Sequence, residues 1–376
     1  MGNLFLIFLF GWITSLFAFE DYPYGVNFQV VRQPLLPLDN LPLKRNETAA
    51  RITMRHMNVW SRQQNYFTID GEESQAELTL RYGIIDTLSI AFASSYISQG
   101  GGSFDSSIER FHSMTGVTQG GRDKFPKNKM NVSYEPFGKY YGILDDNALR
   151  TILRGYEERM YPRDSLDPPI TLDEIARSRF KDLLFVRRPD LQFEESPEII
   201  ALSAKDRMGS GNPRLFFEWD LYAGKIFDRM KLGFQYKFPA QNNYLLGSPG
   251  FDRSLFWVGE KRIADKLFAK IGISHTIFGV NRFLSLPLQS NQQILRLSLL
   301  YHQTKSVSYF SEYVLGSAPF RNFGRLGKPT HQFSVGFKMK VLSGIWSVGF
   351  VEDLINFSVS PDIGLFTSYE SFFGSE

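Results

Sequence analysis

The chain has 376 residues, with 42 Lys and Arg against 39 Asp and Glu, a formal net charge of only +3, and no cysteine. The missing thiols exclude disulfides, thiolate metal sites and cysteine nucleophiles. Near-balanced charge without a clustered basic face argues against a nucleic-acid partner.

The chain opens MGNLFLIFLFGWITSLFAFED, an apolar run from Leu4 to Phe17, then Ala18 ahead of Phe19 and the acidic pair Glu20 and Asp21. The run is shorter than the roughly 20 apolar residues that span a bilayer. A small residue at its end fits a cleavage site, so 1–18 reads as an export signal. Residues 19–49 read as a periplasmic or plug segment, and 50–376 as a barrel. No later segment is apolar for long enough to be a membrane helix, so a membrane crossing here must use strands.

Strands are expected near 50–62, 75–84 and 87–97, then 214–224, 229–239, 253–261, 266–275, 292–302, 307–315, 331–341, 344–351 and 362–372. The period of two is plain in RMKLGFQYKF, where Met230, Leu232, Phe234, Tyr236 and Phe238 share a face, and in QFSVGFKMKV. In ILRLSLLYH, Leu300 is the exception. Short connections fall at Asp86, Asp228, Asp265, Lys305 and Ser343, and the Asp turns repeat one phrase: IIDTL, IFDRM, IADKL. Long connections are expected around Asp70, from 98 to 213, and around Tyr244, Phe283, Phe323 and Asn356. Long and short loops that alternate along some twelve strands point to an all-β, transmembrane, antiparallel up-and-down barrel with both termini on the periplasmic side. A soluble sandwich also alternates its faces, but does not sort its loops by length. Trp60, Tyr82, Trp219, Tyr222, Tyr236, Trp257, Tyr301, Tyr313 and Trp346 lie towards strand ends, as interfacial girdles do.

The insertion 98–213, between the third and fourth barrel strands, is expected to be extracellular and partly helical. FDSSIERFHSM offers Asp105 and Ser106 as N-caps, with Glu109 at capping-box spacing and Phe104, Ile108 and Phe111 as an apolar stripe. LDDNALRTILRGYEERM and TLDEIARSRFKDLLF read as two further helices. In QGGRD, Gly120 and Gly121 beside Arg122 suit either an anion-binding nest or a plain loop with a salt-bridged Arg. This segment is expected to fold against or into the barrel mouth, with Arg110 and Arg122 meeting lumen or rim acids. Asp105, Arg110, His112, Gly120, Gly121 and Arg122 are therefore its constriction candidates.

By strand parity, Arg81, Lys231, Lys237, Lys266, Lys270, Arg296, Lys338 and Lys340 point away from the apolar face, as do Glu77, Glu218, Asp220 and Glu312. The lumen is expected to be wet and to lean basic, a lining that favours anions in an open pore; the alternative is that acids and bases pair off inside a closed barrel. Of the five histidines, His112 lies near Asp105, Ser106 and Ser107, but Ser113 beside it points elsewhere on the helix. No catalytic set, metal site or cofactor is expected.

Several phrases, VVRQPLLPLDNLP, then Asp70-Gly71-Glu72, Arg81-Tyr82-Gly83, Gly101-Gly102, Phe111-His112 and Gly120-Gly121-Arg122, resemble an uncharacterised family of Gram-negative outer-membrane barrels, a domain of unknown function. The resemblance spans most of the mature chain but not 140–207, and it takes Phe373 as the closing aromatic. It implies an outer-membrane barrel in contact with lipid and offers no substrate. The expected function is a pore for small polar or anionic solutes. The alternatives are a barrel-anchored surface protein that binds a partner through the insertion, and a lipid-modifying membrane hydrolase.

Overall fold

The computed structural model describes residues 35, 43–64, 66–116, 122, 127–128, 130–134, 141–144, 198–201, 207–222, 224–239, 246–248, 250–280, 286–353 and 362–374. Three strands come first, β1 (Thr48–Gln63), β2 (Phe67–Ile85) and β3 (Leu88–Gly100). The helix α1 (Asp105–Thr115) follows. Four short strands come next: β4 (Asn131–Tyr134), β5 (Tyr141–Leu144), β6 (Glu198–Ala201) and β7 (Met208–Ser210). The chain continues through β8 (Arg214–Tyr222), β9 (Arg229–Lys237), β10 (Asp252–Ala264), β11 (Leu267–Ile277) and β12 (Asn291–His302). It ends with β13 (Val307–Gly316), β14 (Thr330–Val341), β15 (Gly344–Asp353) and β16 (Ile363–Phe373).

The twelve long strands β1 to β3 and β8 to β16 pair antiparallel in one ring, which β16 closes on β1 from Thr48↔Phe373 to Asn58↔Ile363. Closure leaves no unpaired edge along the wall. The short connections tie themselves down through their acids. Asp228 accepts from the Arg262 amide and from Lys261 Nζ, which together hold its carboxyl below the usual range. Asp86 accepts from the Arg45 amide, and Asp265 from the Arg262 guanidinium.

Side chains sort inside-out. Leu78, Leu80, Phe92, Leu255, Ile273, Leu297 and Leu365 are exposed on the outer wall, whereas Thr53, Glu77, Arg81, Glu218, Lys231, Gln235, Ser298, Gln332 and Glu370 are buried within. A water-soluble domain would put those apolar groups inside, at about 1.5–3 kcal/mol each. Among the described residues no helix is long and apolar enough to cross a membrane, so the strands are the candidate spans.

Three expectations need correction. Asp70 lies not in a long connection but inside β2, opposite Trp60; β1 and β2 stay paired up to Gln63↔Phe67, with only residues 64–66 between them. Trp60 is buried rather than set in a girdle, because both faces of this ribbon are covered between Met57 and Ser61. The cap of α1 is Phe104, which makes no side-chain cap bond: Asp105 turns instead to the Asn128 amide. The second and third expected helices, at 144–160 and 171–185, lie almost wholly outside the described residues. The described pieces of this insertion include the short strands β4 to β7, of which β4 pairs antiparallel with the start of β2 from Phe67↔Tyr134 to Asp70↔Asn131.

Candidate functional site

Inside the wall, small residues decide where long ones reach. Arg81 on β2 stands opposite Ala49 on β1 and Ala91 on β3, whose methyl groups are too short to block it. Its guanidinium therefore lies across both neighbours, reaching Glu370 on β16 at 3.2 Å and Glu218 on β8 at 3.8 Å. Glu370 also takes Arg51 at 2.7 Å, and Glu218 takes Lys231 at 3.1 Å. One chain of alternating charges thus links β1, β2, β8, β9 and β16. A second cluster joins Glu77 to Arg55 at 3.5 Å and Arg214 at 2.5 Å. Arg296 and Glu312 pair at 2.7 Å, Asp220 takes Arg229 at 2.8 Å, and Lys237 meets Asp252. In a low-dielectric wall such pairs hold only because each charge has a partner.

A second device keeps aromatic rings against the wall. Phe310, Gly336, Gly349 and Phe366 follow one another across β13 to β16, each paired with the next. The two rings lie over the two glycines, 6.1 Å apart, and a Cβ on Gly349 would fall 2.3 Å from Phe366 Cζ. Phe310 and Phe366 belong to an inner apolar cluster with Met57, Val59, Ile294, Val314 and Val351. Leu300, which breaks the alternation of β12, packs against it. The lumen is thus polar and apolar by sectors, an apolar share that the wet, basic-leaning lining expected from strand parity did not include.

Towards the short turns the lumen opens into a cavity of about 810 Å³. Arg51, Arg229, Lys266, Lys270, Lys305, Lys338 and Lys340 line it against two carboxylates, Glu260 and Glu370. Both acids are engaged: Glu260 with Lys270 at 3.2 Å, and Glu370 in the chain of pairs above. Phe268 and Leu300, paired across β11 and β12, form an apolar sector of the same wall, and Ile345 on β15 adds a separate apolar lining residue.

At the opposite end, α1 and Arg122 cover the outer face of the β1–β2 ribbon. Glu72 caps the chain entering α1 by accepting from the Ser103 and Phe104 amides at 2.9 and 2.7 Å, and also meets His56 Nε2 at 3.0 Å. Phe104 stands edge-on to His56 at 4.6 Å. Ile108 is buried, Asp105 approaches Asn58 at 3.4 Å, His112 is buried and Arg110 is exposed. Arg122 bonds Asn58, lies 6.0 Å from the Trp60 ring and pairs with the rim acid Asp362 at 3.2 Å. Burial pushes the Asp362 carboxyl up to about 7 against the pull of Arg122. Gly120 and Gly121 lie outside the described residues. Of the N-terminal segment, Leu35 is buried on the inner wall, its amide bonded to Thr276 Oγ1 at 3.0 Å.

All twelve lumen candidates have polar contacts or line the cavity, with Lys266 and Lys340 exposed at its short-turn edge. Parity would also have found Arg51, Arg55 and Glu370, since RITMRHM alternates Arg51, Thr53 and Arg55 with Ile52 and Met54. Nothing in the spacing foretold His56 beside Glu72, which only the hairpin register brings together.

A family model described as "Protein of unknown function (DUF3187)" matches residues 27–147 and 225–373. The chain belongs to this family. The family match omits 148–224, which holds most of the insertion and also β8. No curated protein matches by sequence. Among solved structures, an outer-membrane channel from Pseudomonas putida F1 shares the fold at 11% identity and TM-score 0.50, over 90% of this chain and 100% of that one. The NanC porin aligns at 7% identity and TM-score 0.40, over 87% of this chain and all of that one. The Ralstonia pickettii toluene transporter TbuX aligns at 8% and 0.38, over 88% and 90%.

Proposed function

We propose that this member of the family is an outer-membrane channel for small polar or anionic solutes, non-enzymatic, with its short turns in the periplasm and α1 outside. The observation that carries the reading is a cation-rich cavity enclosed by a wall whose outer surface is apolar. An apolar outer band is what lipid requires, and a basic lumen concentrates anions. Twelve strands lie between the filled eight-stranded barrels and the wide sixteen-stranded ones, so side chains set the bore. Here the chains of ion pairs and the inner cluster occupy part of the lumen, and Leu35 lies on its inner wall.

Purified protein in a planar bilayer is expected to give discrete channels that pass chloride better than potassium. A membrane that stays silent at both polarities and at every salt concentration would rule the channel out. For orientation, an epitope tag beside Phe323 should label on intact cells, and one beside Ser343 only after the outer membrane is opened. Labelling of the Ser343 tag on intact cells would reverse the assignment.

A further inference from the structure

The cavity at the short-turn end is more than a stretch of charged pore, because its chemistry is divided. We infer that it is a binding site for an organic monoanion with an apolar body, a carboxylate carried on a ring or short hydrocarbon. This inference rests on the channel reading and names the solute class for its periplasmic mouth.

The charge excess comes first. Two carboxylates face seven cations; Glu260 and Glu370 contact Lys270 and Arg51, and Arg229 is paired with Asp220, which still leaves more positive than negative charge at the cavity. Positive charge reaches the cavity from three separate hairpins: Lys266 at the β10–β11 turn, Lys305 at the β12–β13 turn, and Lys338 and Lys340 approaching the β14–β15 turn. Cations brought to one cavity from three hairpins offer an anion charge-assisted hydrogen bonds, which are about twice as strong as neutral ones.

The second observation is the apolar sector. Phe268 and Leu300 occupy inward positions on the adjacent strands β11 and β12, paired directly across from each other. Phe268 stands edge-on to His302 at 5.1 Å, which fixes its ring as part of the wall. A simple inorganic anion has no use for such a surface, and burying it beneath a ring or alkyl chain adds about 25 cal/mol per Å². At about 810 Å³ the space is large enough for a small organic solute with water around it.

The test is calorimetric titration of the full-length barrel, folded in detergent at low salt, with benzoate and separately with inorganic phosphate. Benzoate is expected to bind and phosphate to bind more weakly. The double variant K338Q/K340Q should lower benzoate affinity about tenfold by removing two charges. Leu300→Ser should lower benzoate affinity about threefold or more while leaving phosphate unchanged. Heat-modifiable migration on a gel confirms that each variant is folded. Should either fail to fold, block of the wild-type single-channel current by benzoate, but not phosphate, added on the short-turn side carries the same weight. No benzoate binding, or an equal loss of both ligands in Leu300→Ser, overturns the inference. A barrel that conducts yet ignores benzoate sinks this site and leaves the channel reading intact, whereas a silent barrel that binds benzoate does the reverse.

Discussion

Replacing Arg296 with methionine is expected to cost about 3–5 kcal/mol of barrel stability, because it leaves Glu312 buried without its guanidinium. Both side chains are about 1% exposed, and Glu312 Oε1 accepts from Arg296 Nη2 at 2.7 Å and from Nε at 3.1 Å. The double variant R296M/E312M should recover most of the loss, since two apolar groups of similar volume need no partners. Urea unfolding in lipid vesicles, followed by tryptophan fluorescence, reads both numbers. A single variant that costs less than about 1 kcal/mol, the range of a solvated pair, would show water around these charges. The pair lines the lumen by parity yet is shielded, so reversing its charge would report on folding more than on ion selectivity.

One residue along the same strand the sign of the argument reverses. Leu297 points outward and is 41% exposed in the isolated chain. In a soluble protein an Arg there would be harmless. In a barrel whose outer wall faces hydrocarbon, Leu297→Arg should cost about 2–4 kcal/mol if the position is near the midplane. The same vesicle unfolding assay measures it, with Lys at the exposed turn residue Leu342 as a control expected to be neutral. A neutral Leu297→Arg would mean that this wall does not meet lipid.

Most of the wall was legible because one-residue alternation is a strong signal when the two faces have opposite chemistry. Expected and observed strands agree within a few residues from Arg214 to Phe373, and all five short turns fall where Asp, Lys305 or Ser343 marked them. The β1–β2 ribbon was harder. Its upper half is covered on both faces, so Asp70, Glu72 and Trp60 follow no simple alternation, and a buried polar stretch reads like a loop. Charge signs in the lumen were readable, but their partners were not. Arg81 finds Glu370 only because Ala49 and Ala91 are small and because the ring closes, which are facts of register and topology. The inner rings of Phe310 and Phe366 were hidden for a related reason, since a Phe facing inward looks like a lapse until the glycines beneath it are placed.

Ring closure also sets the order in which this molecule can be built. The seam between β1 and β16 joins the two ends of the barrel sequence, so its eleven register positions from Thr48↔Phe373 to Asn58↔Ile363 must wait for the whole chain. Every other pairing in the ring except β3 with β8 joins strands adjacent along the sequence, and local contacts form first because closing a long loop is entropically slow. Until the seam shuts, β1 and β16 are bare edges, and Glu370 on the last strand has not yet met Arg51 and Arg81 on the first two. The charges that occupy the finished lumen therefore double as a latch: they are satisfied together only when the correct first and last strands meet, and a register error at the seam leaves a carboxylate stranded in the wall.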